Sequence, residues 1–150
     1  MFNLSEFAER LKELMIEYNI NQTQLAERIN VKVSTISRYL SEQNVPEIEI
    51  LIRLADCFNC SIDFLVERSE NYLNSGTSYK ECPTFSVQFK KLLSHFKVSK
   101  YKLQKEARIS KTIMYYWETG KYQPSIENII KLANYFDCSV DYILGRIEFE

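Results

Sequence analysis

The stretch "MYYWETGKYQPSIENIIKLANYFDCSVDYIL", residues 114–144, has a counterpart seventy-eight residues earlier, "ISRYLSEQNVPEIEILIRLADCFNCSIDFLV", residues 36–66. Extended outward, residues 7–68 lie over 85–146 without a gap, and fifteen positions are identical. Phe7 meets Phe85, Leu14 meets Leu92, Leu25 meets Leu103 and Pro46 meets Pro124. Ile52, Leu54, Ala55, Phe58 and Asp63 meet Ile130, Leu132, Ala133, Phe136 and Asp141. Conservative pairs fill in between, such as Tyr18 with Phe96, Val31 with Ile109 and Tyr39 with Trp117. The matched positions are mostly apolar and fall at helical spacing, so the repeated quantity is a core, and duplication is its simplest origin.

A repeat of this length turns 150 residues into two units of about 60 to 70 residues each. Units that small bury only about 60% of their unfolded surface, so each must be compact. Apolar residues make up 45% and aromatics 13%, with three Gly and three Pro, which favours a helical, globular chain over disorder. The net charge of -1 conceals an asymmetry. Residues 1–70 carry seven Lys/Arg against twelve Asp/Glu (7 - 12 = -5), and residues 71–150 carry twelve against eight (12 - 8 = +4). A basic half beside an acidic half is a charge pattern that nucleic-acid surfaces produce.

Other functions lack their chemistry. No charged-then-apolar leader opens the chain, and no run approaches the roughly 18 apolar residues of a membrane helix, so a soluble, cytoplasmic protein without membrane partners is expected. Cys57 and Cys60 have the C-x2-C spacing of zinc sites. No second pair closes a tetrahedron, because Cys82 and Cys138 are single and His95 is the only histidine. Cys60 and Cys138 share a repeat position and read as small buried thiols in a reducing compartment. No metal and no cofactor are expected. His95 has no recognisable nucleophile beside it and no Gly-rich phosphate loop appears, so no catalytic residue is assigned and the chain reads as a non-enzyme.

Five short helices are expected in each unit. Phe7, Leu11, Leu14, Met15 and Tyr18 share one face of the first, with Ser5 as its cap. Asn21 and Gln24 have the form of a capping box opening a second helix over 22–29, which carries Leu25, Ala26 and Ile29. After the turn "NVK", a third helix over 33–40 turns Ile36 and Tyr39 inward. Pro46 marks the start of a fourth, and Ser61 caps a last helix with Phe64 and Leu65 inside. Ser99, Ser110, Ser125 and Ser139 are the expected caps in the second unit. The polar, Gly-bearing stretch "SENYLNSGTSYKECPT", residues 69–84, reads as the connector between units 1–68 and 85–146, with 147–150 a tail.

Two short helices joined by a tight turn, then a loop and an amphipathic helix, fit a helix-turn-helix. "NQTQLAERINVKVSTISRYL" with "VPEIEILIRLADCFNCSIDFL" resembles the phage-repressor/Cro-type helix-turn-helix family of bacterial transcriptional regulators. "ISKTIMYYWETGKYQPSIENIIKLANYFDCSVDYIL" resembles it more specifically through its Trp-Glu-x-Gly-x-x-x-Pro-Ser run. The resemblance covers about residues 6–146 and implies an all-α fold of two tandem five-helix lambda-repressor-like domains. Each copy keeps a different part of the pattern. The first has Gln22 and the small Ala26 but Tyr39, Leu40 and Glu42 where the second has Trp117, Glu118 and Gly120. The second puts Gln104 at the small position and Arg108 in the turn where Gly is usual, which predicts a slightly altered turn.

What the resemblance implies for function is a DNA face. In this motif the third helix enters the major groove, while the start of the second helix and the loop after the third hold phosphates. Transferred position by position, Val33, Ser34 and Arg38 face bases in the first copy and Gln22 touches backbone. In the second, Lys111, Thr112 and Tyr116 take the base-facing places with Tyr115 beside them, Lys100 replaces Gln22, and Lys102 and the loop residue Lys121 add charge. The first copy sets Glu27 and Glu42 among its basic residues. The expected function is therefore sequence-specific recognition of double-stranded DNA by a transcriptional regulator whose second module binds phosphates more strongly. Members of the family dimerise on half-sites about 34 Å apart, so the resemblance implies that the two modules can act as a built-in pseudo-dimer on an asymmetric site, and a symmetric site would point instead to a homodimer. The alternative is a protein-binding or antitoxin-like regulatory module with a protein partner, and the acidic first copy favours it.

Overall fold

The computed structural model describes residues 2–69 and 78–148. These form ten α-helices and, among the described residues, no strand. The chain divides into two compact units between residues 77 and 78. The first holds α1 (Leu4–Glu17), α2 (Gln22–Ile29), α3 (Val33–Leu40), α4 (Ile48–Cys57) and α5 (Ile62–Leu65). The second holds α6 (Phe85–Phe96), α7 (Lys100–Glu106), α8 (Lys111–Thr119), α9 (Ile126–Phe136) and α10 (Val140–Leu144). The expected all-α pair of five-helix units is the observed fold. Of the stretch read as a connector, residues 70–77 lie outside the described residues, as do 149 and 150 of the tail.

Local side-chain chemistry starts most of the helices. The Asn21 side chain accepts from the Gln24 N–H at 2.8 Å while Gln24 Oε1 accepts from the Asn21 N–H at 3.0 Å, so the capping box forms as read. Ser61, Ser99, Ser110, Ser125 and Ser139 each accept from the backbone N–H three residues on, at 2.9 to 3.2 Å. Two starts differ from expectation. Asn3, not Ser5, caps α1, accepting from the Glu6 N–H at 3.1 Å. Asn is as good a cap as Ser, and starting there brings Leu4 and Ser5 into the helix and sets Glu6 in its positive first turn. Pro46 does not begin α4, because Glu47 is its N-cap and Ile48 its first residue. The equivalent Ser125 is the cap of α9, so in both copies the proline sits one residue before the cap.

Each core closes around the apolar faces of its helices. Phe7, Leu11, Leu14, Leu25, Ile36, Leu51, Leu54 and Phe58 are almost fully buried in the first unit, and Phe89, Leu92, Leu103, Met114, Ile129 and Leu132 in the second. Trp117, 2% exposed, meets the edges or faces of Phe85 and Phe89 at 5.3 and 5.2 Å. Tyr39 makes the smaller equivalent contact with Phe7 at 6.1 Å. Tyr18, expected on the buried face, remains 39% exposed, and its hydroxyl donates to the Phe58 carbonyl at 2.8 Å. Cys60 is buried as expected, but Cys138 is only half-buried. In the second unit Phe96 and Phe136 stack in parallel at 4.2 Å, where Tyr18 and Phe58 of the first meet edge-on at 5.2 Å.

The polar positions of the repeat are explained by partners. Asp63 pairs with Arg68 at 2.5 Å, and Asp141 pairs with Arg146 where both side chains are almost wholly buried. In each unit the arginine N–H also donates to the carbonyl of its aspartate, at 2.7 and 2.8 Å, closing the C-terminal turn. Arg146 is covered by the Tyr79 ring at 3.9 Å, and its carbonyl accepts from the Lys80 N–H at 2.8 Å. Residues 79 and 80 are thereby fastened to the second unit ahead of α6. One difference between the copies is a matched exchange. Arg10 pairs with Glu67 at 3.3 Å, whereas Gln88 and Gly145 hold those positions in the second unit. Gly145 there leaves so little room that an added Cβ would lie 2.8 Å from Pro83 and 2.9 Å from Gln88.

Candidate nucleic-acid interface

In the first unit α2 and α3 are joined through Asn30, left-handed at φ 57°, with the Val31 N–H donating to the Ala26 carbonyl at 2.9 Å. Ala26 is 2% exposed, and its missing bulk leaves Leu25 and Ile29 free to pack inward. Gln22 opens α2 on the surface, and Val33, Ser34 and Arg38 are exposed along α3. Glu27 and Glu42 are exposed as well. Glu42 follows α3 at φ 63°, the left-handed region that Gly120 fills at 75° in the second unit.

The second motif has the same plan and a different surface. Arg108 stands at φ 56°, so it keeps the conformation of Asn30. The left-handed place is therefore filled by Arg108 as it is by Asn30, and α7 ends one residue earlier in the repeat than α2. Gln104 is exposed, which avoids burying its amide at the place of Ala26. Lys111, Thr112 and Tyr115 are exposed on α8, Tyr116 is half-buried, and Lys102 and Lys121 are exposed around them. Lys121 Nζ lies 5.1 Å from the Tyr116 ring centre and 5.6 Å from that of Tyr122, within cation–π range of both. Lys105 similarly covers Tyr101 at 5.5 Å. Tyr101, Tyr115 and Tyr122 keep 60%, 62% and 58% of their surface in solvent. Large aromatics so exposed among lysines suit a surface that contacts something.

One partner was not visible in the residue pattern. Lys100 Nζ lies 2.6 Å from Glu118 Oε1, a bridge from the first residue of α7 to the last turn of α8. In the first unit the same two positions are Gln22 and Leu40, which cannot form it. Matched exchange also marks the outer side of the motif. The Tyr135 hydroxyl donates to the Glu106 carboxylate at 3.2 Å, where the first unit pairs Cys57 with Arg28. Burial pushes the Cys57 thiol above its ordinary 9.0, and the Arg28 guanidinium pulls it partly back. His95 Nε2 meets the Tyr142 hydroxyl at 3.0 Å. No group of three metal-ligating side chains occurs among the described residues, and no described helix is long and apolar enough to cross a membrane.

The profile of the helix-turn-helix family matches this chain twice, over residues 11–65 and 89–143. The chain belongs to that family. Its two matches are the two structural units, so the resemblance to phage-repressor/Cro-type proteins extends to both copies. One relative is the HTH-type transcriptional regulator ImmR of Bacillus subtilis (strain 168), 29% identical over 62 residues, or 41% of this chain and 49% of that protein. The chain thus spans about half the length of this curated relative. A solved transcriptional regulator from Listeria innocua is 32% identical, covering 78% of this chain and 96% of that one, with a TM-score of 0.39.

Proposed function

We propose that this helix-turn-helix protein is a sequence-specific double-stranded-DNA-binding transcriptional regulator. Membership of the family and the likeness to the transcriptional regulator ImmR support the coarse reading. The observation that carries the finer one is the charge around the second motif. Lys97, Lys100, Lys102, Lys105, Arg108, Lys111 and Lys121 are all exposed there. In the first motif Arg28, Lys32 and Arg38 share the surface with Glu27 and Glu42. The second module therefore supplies most of the phosphate affinity, through Lys102, Lys111 and Lys121, while Thr112, Tyr115 and Tyr116 meet base edges. The first module reads sequence through Val33, Ser34 and Arg38 with Gln22 at the backbone. Since these base-facing sets differ, the preferred site is asymmetric.

Charge reversal in the full chain tests the division of labour. Lys102→Glu with Lys111→Glu should weaken duplex binding and flatten its salt dependence more than Arg28→Glu with Lys32→Glu. The opposite ranking refutes it. A second reading, a protein-binding module, is favoured by α1, where Glu6, Glu9, Glu13 and Glu17 are exposed and Ile16 is 80% exposed. Absence of duplex binding by the unsubstituted protein at low salt would favour that reading instead.

A further inference from the structure

The Lys100–Glu118 bridge joins a basic residue expected at the DNA backbone to a carboxylate of the same motif. Lys100 is 49% exposed and Glu118 is 23% exposed at their side chains, so the pair stands at the surface with the lysine outermost. Glu118 also belongs to α8, the helix whose N-terminal residues face the bases in the proposed reading, and Lys100 to α7. The bridge therefore acts twice. It fixes one end of α7 to one end of α8, and it supplies Lys100 with an anionic oxygen at 2.6 Å before any phosphate arrives. Lys102 and Lys111, by contrast, have no ion-pair partner among the described residues.

We infer that Glu118 masks Lys100, so that the carboxylate occupies the place of a DNA phosphate and lowers the affinity of the second module for backbone. A phosphate gains Lys100 only by displacing an anion already hydrogen-bonded to it, and the approaching DNA must also meet the exposed part of Glu118. The first unit supports this by contrast. Gln22 and Leu40 at the same positions carry no charge, leaving nothing to mask and no repelling carboxylate at that point. Glu118 thus sets the strength of the second module's hold on the DNA backbone, while the contacts of Thr112, Tyr115 and Tyr116 carry the sequence preference.

The inference rests on the DNA-binding reading, and four full-length proteins separate the two. Wild type, Glu118→Gln, Lys100→Met and the double variant are titrated against a fluorescent duplex of random sequence over a range of salt, with thermal melting as the check on folding. Glu118→Gln keeps the size of the side chain and removes its charge. It should bind more tightly than wild type and steepen the slope of log affinity against log salt by about 0.9, the value of one additional phosphate contact. The advantage should therefore shrink about 3.5-fold between 50 and 200 mM salt, roughly four to the power 0.9. Lys100→Met should change the slope little in the wild-type background and cancel the steepening in the Glu118→Gln background. A Lys100→Met slope already flatter by about 0.9, with Glu118→Gln without effect, would show Lys100 engaging phosphate freely and overturn the masking. Equal slopes in four folded, DNA-binding proteins would overturn it also. Absence of binding by all four would overturn the DNA reading itself.

Discussion

Glu42→Gly exchanges one residue of the first copy for its counterpart in the second, and two consequences can be worked from the backbone. Glu42 is held at φ 63° after α3, and Gly120 at 75° after α8. A left-handed conformation costs a non-glycine residue about 1–2 kcal/mol, and glycine returns about 0.5–1 kcal/mol of that through its greater freedom when unfolded. The net gain is about 0.5–1 kcal/mol, or roughly 2–8 °C in the melting of a unit of this size. The substitution also removes a carboxylate from the loop that faces phosphate in the proposed complex, so duplex affinity should rise at low salt. Gly120→Ala is the control. A Cβ at Gly120 meets nothing within 4 Å, so this variant should lose about 0.5–1 kcal/mol through backbone strain alone and leave the salt slope unchanged. Gly120→Glu should lose the same stability and, in addition, DNA affinity. A lower melting temperature for Glu42→Gly, or an unchanged one for Gly120→Ala, would refute the strain argument. Tighter binding by Gly120→Glu would refute the electrostatic one.

Gly145→Ala should be worse than Gly120→Ala, at about 2–4 kcal/mol by thermal unfolding, because the same backbone cost is joined by overpacking against Pro83 and Gln88. Asp141→Ala leaves the buried Arg146 charge without its carboxylate and should cost about 3–5 kcal/mol, whereas loss of the half-exposed Lys100–Glu118 bridge should cost no more than about 1 kcal/mol. Partial desolvation first, and then the Glu106 carboxylate, hold the Tyr135 phenol above its ordinary 10.0. A raised folded value means that the proton binds more tightly in the folded state, so this stabilising effect is complete below pH 10 and is lost as pH climbs through the folded value. Glu106→Gln should lower the Tyr135 midpoint in an alkaline absorbance titration.

Much of the fold was legible because its signals are local. A capping box needs only Asn21 and Gln24, four positions of one chain, and a serine before an apolar run needs only its own next turn. The cores were legible because duplication presents each apolar position twice. Two helix starts were misread where local chemistry offers a near tie. Asn3 and Ser5 are both good caps two residues apart, and a proline suits the first helical turn as well as the residue before the cap. The paired aspartates were visible as identities, but their partners lie five residues on, in Arg68 and Arg146, and the pairing depends on how the last turn of each unit folds back. The Lys100–Glu118 bridge spans eighteen residues and depends on how α7 crosses α8, which no spacing along the chain reveals. Of the expected site, the exposed faces of α3 and α8 follow from the same periodicity that buries Ile36 and Trp117. Which of those side chains meet bases depends on the DNA.

The central claim is that this chain engages the phosphates of duplex DNA, and the salt dependence of binding by the full-length protein tests it most directly. Neutralising about five phosphates predicts a straight plot of log affinity against log salt with a slope of about -4 to -5. A slope near zero, or no binding to duplex at low salt, would contradict the account.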